Sequence, residues 1–128
     1  MNIIKNTENL LASIRDGISR LVYGKQFISQ EILNLATTST VVSLNVPVGA
    51  TEARIVCDCA NTQALTTGYR YTLDGVTPTL GTYATSTTKG TFVPNLVVLI
   101  IQGNDNLKNF RALNADGIVR GLSVTYYK

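Results

Sequence analysis

The chain has 128 residues, with 11 Lys plus Arg against 8 Asp plus Glu, 45% hydrophobic residues, 15% charged residues and no His. That length fits one domain whose core stands without a disulfide or a metal, and the composition excludes a disordered tail. The missing histidine removes Ser–His and Cys–His nucleophile pairs, histidine metal sites and a near-neutral general base. A non-enzymatic function is therefore expected, with no catalytic residue, no metal and no cofactor.

The first element reads as an amphipathic helix. Leu11, Ile14, Ile18 and Leu21 recur at spacings of 3 and 4, with Leu10 and Val22 widening the stripe. Asn6 or Thr7 suits the N-cap, Glu8 and Arg20 suit the two dipole ends, and Gly24 suits the position after the helix. Gly17 costs about 1 kcal/mol relative to Ala, so the helix needs a packing partner. The stripe also scans in heptads: Ile4, Leu11, Ile18 and Ile32 share one seam position, and Ile14, Leu21, Ile28 and Leu35 the other. Thr7 and Lys25 interrupt it, and only Leu11–Leu21 is clean. Leu11, Ile14, Ile18 and Leu21 are the candidate helix interface, for self-association or for packing on the domain or a neighbour. Residues 1–30 are assigned to helix and linker, an anchor or oligomerisation element, and 31–128 to a β domain.

From about residue 31 the period becomes two. Val42, Leu44 and Val46 alternate with Val41, Ser43 and Asn45, closed by Pro47-Val48-Gly49. Ala53, Ile55, Cys57 and Cys59 alternate with Arg54, Val56 and Asp58. The two cysteines, on one strand face about 6.5–7 Å apart, lie near the upper limit for a bridge and are expected reduced and packed. Tyr69, Tyr71 and Leu73 alternate up to the Asp74-Gly75 turn signal. Residues 76–91, rich in Thr, Gly and Ser, read as a long loop or irregular edge. The run Leu96–Ile101 is too apolar for an edge strand and is placed centrally, with both faces covered. Gly103-Asn104-Asp105-Asn106 turns the chain, Asn109–Leu113 forms a short strand, and Leu122, Val124 and Tyr126 face one side of the last. The expected fold is mainly β: an antiparallel, jelly-roll-like β-sandwich preceded by the helix. No internal repeat is visible.

The basic residues are scattered with no two adjacent, which argues against nucleic acid. The longest aliphatic run is far below the ~20 residues that span a bilayer, and the N-terminus lacks a secretory apolar region. A soluble protein made in a cytoplasm is expected, with no membrane partner. Asp58, Asp74, Asp105 and Asp116 sit at strand ends or turns, where Asp bonds its own backbone. Asn104-Asp105-Asn106 lacks the spacing of a calcium loop, and no phosphate-cradling glycine motif is present. Tyr69, Tyr71, Tyr83, Tyr126 and Tyr127 could stack on sugars or bases, but packing within the sandwich is the simpler reading.

One ordered set of motifs remains. Val46-Pro47-Val48-Gly49-Ala50-Thr51-Glu52-Ala53 is followed by Arg70-Tyr71-Thr72-Leu73-Asp74-Gly75-Val76-Thr77-Pro78-Thr79. Then come Leu107-Lys108-Asn109-Phe110-Arg111-Ala112-Leu113 and Leu122-Ser123-Val124-Thr125-Tyr126-Tyr127. Over residues 40–128 this order resembles the R-Y-x-L-D-G-x-x-P-T … L-x-x-F-R-A … L-x-V-x-Y-Y pattern of small tailed-bacteriophage virion structural proteins. The resemblance implies an all-β virion domain, a building block or decoration of the head, neck or tail. Its partners would be copies of itself and other virion proteins of the capsid, portal or tail; its location would be the virion, after synthesis in the host cytoplasm. The chain departs from the pattern in its long Thr-rich 79–91 insertion and in Cys57 and Cys59. On their own chemistry the motif residues read as structural. Arg70 pairs across the sheet while Tyr71 packs, Asp74 and Gly75 turn the chain, and Pro78 stops a strand. Phe110 plugs one end of the sandwich beneath the 103–109 turn, with Arg111, Tyr126 and Tyr127 completing the set. The alternative function is a carbohydrate-binding module or receptor-binding tip, with a glycan held by Tyr83 and the 76–91 loop.

Overall fold

The alternating segments fold into two antiparallel four-stranded sheets. The structure, a computed structural model, describes residues 7–15, 24–58 and 67–128. Residues 7–15 are helical (α1). There follow β1 (Phe27–Leu35), β2 (Val41–Ser43), β3 (Glu52–Asp58), β4 (Gly68–Thr72), β5 (Thr91–Pro94) and β6 (Val98–Gln102). A short helix α2 (Asn104–Asn109) precedes β7 (Arg111–Asn114) and β8 (Arg120–Tyr127).

The first sheet has the order β1-β8-β3-β6 and the second β2-β7-β4-β5. Strands therefore pair as 1 with 8, 2 with 7, 3 with 6 and 4 with 5, alternate pairs falling in opposite sheets. That nesting is a jelly roll. Inward residues follow the expected period: Ala53, Ile55 and Cys57 on β3, Tyr69 on β4, and Leu122, Val124 and Tyr126 on β8 are all fully buried in one cluster. Each large aliphatic buried there contributes about 1.5–3 kcal/mol. Phe110 plugs one end below α2 and stacks on Tyr71, ring centroids 5.9 Å apart.

The opposite end is closed by a polar hub. Asn114 is fully buried; its Nδ2 donates to Leu35 O at 2.9 Å and Ile118 O at 2.7 Å, and its Oδ1 accepts from Asp116 N and Gly117 N. The Arg120 guanidinium donates to Asn114 Oδ1 (2.6 Å), Gly68 O (2.7 Å) and both Asp116 carboxylate oxygens (2.8 and 3.1 Å). Gly68 is required by space: a Cβ there would lie 2.0 Å from Val93 O.

Four elements differ from the sequence reading. β1 starts at Phe27, so the sandwich takes in residues assigned to the linker. Its inward positions include Ser29 and Glu31, opposite Tyr126 and Val124, which hides the alternation while Ile28, Ile32 and Leu35 mimic a helix. The Gly103–Asn106 turn continues as α2, and β5 lies at the end of the loop. The run Leu96–Ile101 is not central: among the described strands β6 pairs with β3 alone and forms an edge of its sheet. Only Ile101 is buried, with Leu99 packed against the core. The jelly-roll nesting puts β6 at a margin whatever its composition. Cys57 is buried, its thiol donating to Asn95 Oδ1 at 3.3 Å. Cys59 lies outside the described residues, and with it the expectation of a packed cysteine pair.

Candidate interaction surfaces

On α1, Leu11 and Ile14 are 59% and 50% exposed, and Leu10 beside them is also exposed. No residue of this helix enters the core cluster. Of the candidate interface, Leu11 and Ile14 thus share an uncovered face, while Ile18 and Leu21 lie outside the described residues.

Over β4, the outer face of the second sheet is covered by the chain's own Thr-rich loop. Arg70, Thr72 and Leu113 point to that face and are nonetheless buried. Arg70 does not pair with a charge across the sheet. Its Nε donates to Gly81 O at 2.5 Å and its Nη1 to Gly90 O at 2.8 Å, while its cross-strand neighbour Phe92 lies 6.0 Å from the guanidinium. Thr72 Oγ1 donates to Val76 O, Asp74 Oδ1 accepts from Val76 N, and Thr79 and Lys89 bond across the base of the loop. Gly90, at φ 96, has no room for a Cβ, which would lie 2.8 Å from Tyr71 O. The segment is therefore a pinned strap with Pro78 buried beneath it and Tyr83, 84% exposed, projecting beyond it.

The remaining motif residues also serve the fold. Arg111 Nη1 donates to Lys108 O and Phe110 O at the end of α2. The Tyr126 hydroxyl donates to Glu31 Oε2 at 3.1 Å. Burial, and then the Glu31 carboxylate it faces, push the Tyr126 phenol well above its usual range.

The outer face of the first sheet is open and mixed. Its rows run Phe27–Tyr127–Glu52–Gln102, then Gln30–Thr125–Arg54–Ile100, then Ile32–Ser123–Val56–Val98. The first row is a closed polar and aromatic cluster. Glu52 accepts from Arg54 Nε and Gln102 Nε2, both at 3.1 Å, with Lys25 at 4.0 Å. Arg54 lies 4.7 Å over the Tyr127 ring, which meets Phe27 edge-on. Burial alone would raise the Glu52 carboxyl, but the bonds from Gln102 and Arg54 and the charges of Lys25 and Arg54 hold it below its usual range.

Away from that cluster the face turns apolar. Val98 and Ile100 are 55% and 52% exposed, joined by Leu96, Val97 and, across the sheet, Ile32. The β6 edge has a definite backbone phase. Gly103 N donates to Thr51 O at 2.8 Å, so the bonded pairs below it are Ile101–Ala53 and Leu99–Ile55. The N–H and C=O groups of Val98, Ile100 and Gln102 consequently turn away from β3. The Gln102 carbonyl takes Asn106 Nδ2 at 2.9 Å, closing that end of the edge.

Sequence reading missed this surface because an apolar run carries no signal of its neighbours. Among the described residues, no three His, Cys, Asp or Glu side chains are grouped to hold a metal ion, and no helix is long and apolar enough to cross a membrane. No family model, curated protein or solved structure matches the chain.

Proposed function

We propose that this chain is a non-enzymatic structural protein of a tailed-bacteriophage virion, a repeated building block or decoration of the head, neck or tail. The phage part of the reading rests on the ordered motif set. The assembly part is carried by one observation: the described apolar residues of α1, Leu10, Leu11 and Ile14, are exposed and stand outside the core cluster. A jelly roll by itself chooses nothing, since capsid proteins, lectins and cupins all use it. Arg70, Tyr71, Asp74, Pro78, Phe110, Arg111 and Tyr126 are engaged within the domain, which suits a scaffold whose work is presenting surfaces. In this reading the β domain packs against copies of itself and α1 docks on a neighbouring virion protein.

Quantitative mass spectrometry of purified particles tests it. A fixed, multiple copy number is expected, and absence from particles sinks the reading. Removing residues 1–24 should leave a folded β domain, by circular dichroism, that no longer enters particles. The exposure of Tyr83 on a pinned strap favours one second reading, a glycan-binding module or tip. Glycan-array binding abolished by Tyr83→Ala, in a folded protein missing from particles, would put that reading first.

A further inference from the structure

Among the described residues the two sheets present four edges, β1 and β6 in one and β2 and β5 in the other. Three are blunted in ways that discourage strand addition. β1 carries a register shift between Phe27 and Ser29 and an inward carboxylate, Glu31. β2 has only three residues, and β5 is four residues long and ends in Pro94. β6 has none of these devices. From Leu96 to Gln102 the chain carries neither charge nor proline. Val98 and Ile100 turn their backbone groups away from β3 and leave their side chains half-exposed.

We propose that β6 pairs with β6 of a second copy of this chain, antiparallel, with Val98 of each copy opposite Ile100 of the other. Two features select a copy of itself as the occupant. An uncharged strip offers nothing to a charged partner, and meets no like charge in its own duplicate. The pairing is also closed under a two-fold axis: Val98 and Ile100 exchange both N–H···O bonds in each copy, and the Gln102 carbonyl stays with Asn106. The two sheets then become one, β1-β8-β3-β6 running on into β6-β3-β8-β1, with Val98 and Ile100 as cross-strand neighbours. A five-residue strand spans about 17 Å. That is too little to bury the ~800 Å² per partner of a standard stable interface. The contact is therefore a weak pair that repetition and further contacts reinforce. This gives the self-assembly proposed above its strand and its symmetry, and rests on that reading for taking the partner to be a copy.

Sedimentation equilibrium of the isolated full-length chain tests it, and a concentration-dependent dimer is expected. Val98→Lys and Ile100→Glu, both at solvent-facing positions, should each weaken the dimer about tenfold or more. The double variant V98K/I100E should restore it, because each Lys then faces a Glu of the other copy. Ile100→Pro, which removes an outward N–H, should abolish the dimer with the β-sheet dichroism unchanged; if this variant unfolds, the two charged variants and their combination decide. A monomer at every concentration, which is what a different protein's strand as partner would give, overturns the proposal. So does a dimer indifferent to the single substitutions, or a double variant that fails to recover. Particle content is measured separately: a chain that dimerises through β6 but is absent from virions leaves the pairing standing and sinks the virion reading.

Discussion

Two buried polar groups at neighbouring positions in the fold have opposite energetics. Arg120 places its buried guanidinium among Asn114, Asp116 and Gly68 O, so removing it takes a charged donor from each of them and the countercharge from Asp116, while backbone N–H groups still reach these acceptors. Arg120→Met should therefore cost about 1.5–3 kcal/mol, the usual worth of hydrogen bonds made by a charged group. The Tyr69 hydroxyl is buried with no hydrogen-bond partner among the described residues, and burial, then Cys57 and Tyr71, push it well above its usual range. Tyr69→Phe removes an unsatisfied group and keeps the ring, so stability should hold or rise by up to about 1 kcal/mol. Urea unfolding of the two variants separates them; a large loss for Tyr69→Phe would mean that its hydroxyl has a partner in solution. Neither outcome is legible in the sequence. Arg120 looks like an ordinary surface cation at a strand end, and its acceptor Gly68 lies 52 residues away.

At the scale of elements, period-two segments could be read because alternation is local: β3, β4 and β8 bury the faces their sequences mark. Position within a sheet is not local. Composition places β6 at the centre, but nesting sets it at the edge, where its outer side chains stay exposed. Its entry adds a backbone oddity. Leu96 has φ 66, the one described non-glycine residue with positive φ, and its side chain is 61% exposed. That conformation costs an L-residue about 1–2 kcal/mol. Asn95 holds the turn, bonding Thr67 through backbone and side chain and accepting from Cys57, so the leucine side chain is not what fixes it. Leu96→Gly removes the strain and loses little burial, against about 0.5–1 kcal/mol of added unfolded-state entropy. Its thermal midpoint should match or exceed that of the parent; a fall worth more than about 1 kcal/mol would show that the side chain organises the turn.

The whole molecule has ionic ties at opposite ends of its first sheet, Glu52 beside Tyr127 and Asp116 beside Arg120. At Asp116 burial raises the carboxyl, but Arg120 and the Ile118 and Gly68 amides outweigh it and hold it below the usual range. A carboxylate lowered on folding stabilises fully above its ordinary value, here 4.5 for Glu52 and 3.8 for Asp116, and loses that contribution as pH falls through its lowered folded value. Tyr69 and Tyr126 act in the other direction. Raised on folding, they contribute fully below the ordinary value of 10.0 and lose that contribution as pH rises through their raised values. No histidine adds a step between the two limbs. The urea midpoint followed across pH should therefore form a broad plateau through neutrality, falling in acid and again in strong alkali. Glu52→Gln should flatten part of the acid limb and leave the alkaline one unchanged. A step in stability between pH 6 and 7, about where histidine ordinarily titrates, would show that a carboxylate is displaced upward and that one of these ties is broken in solution.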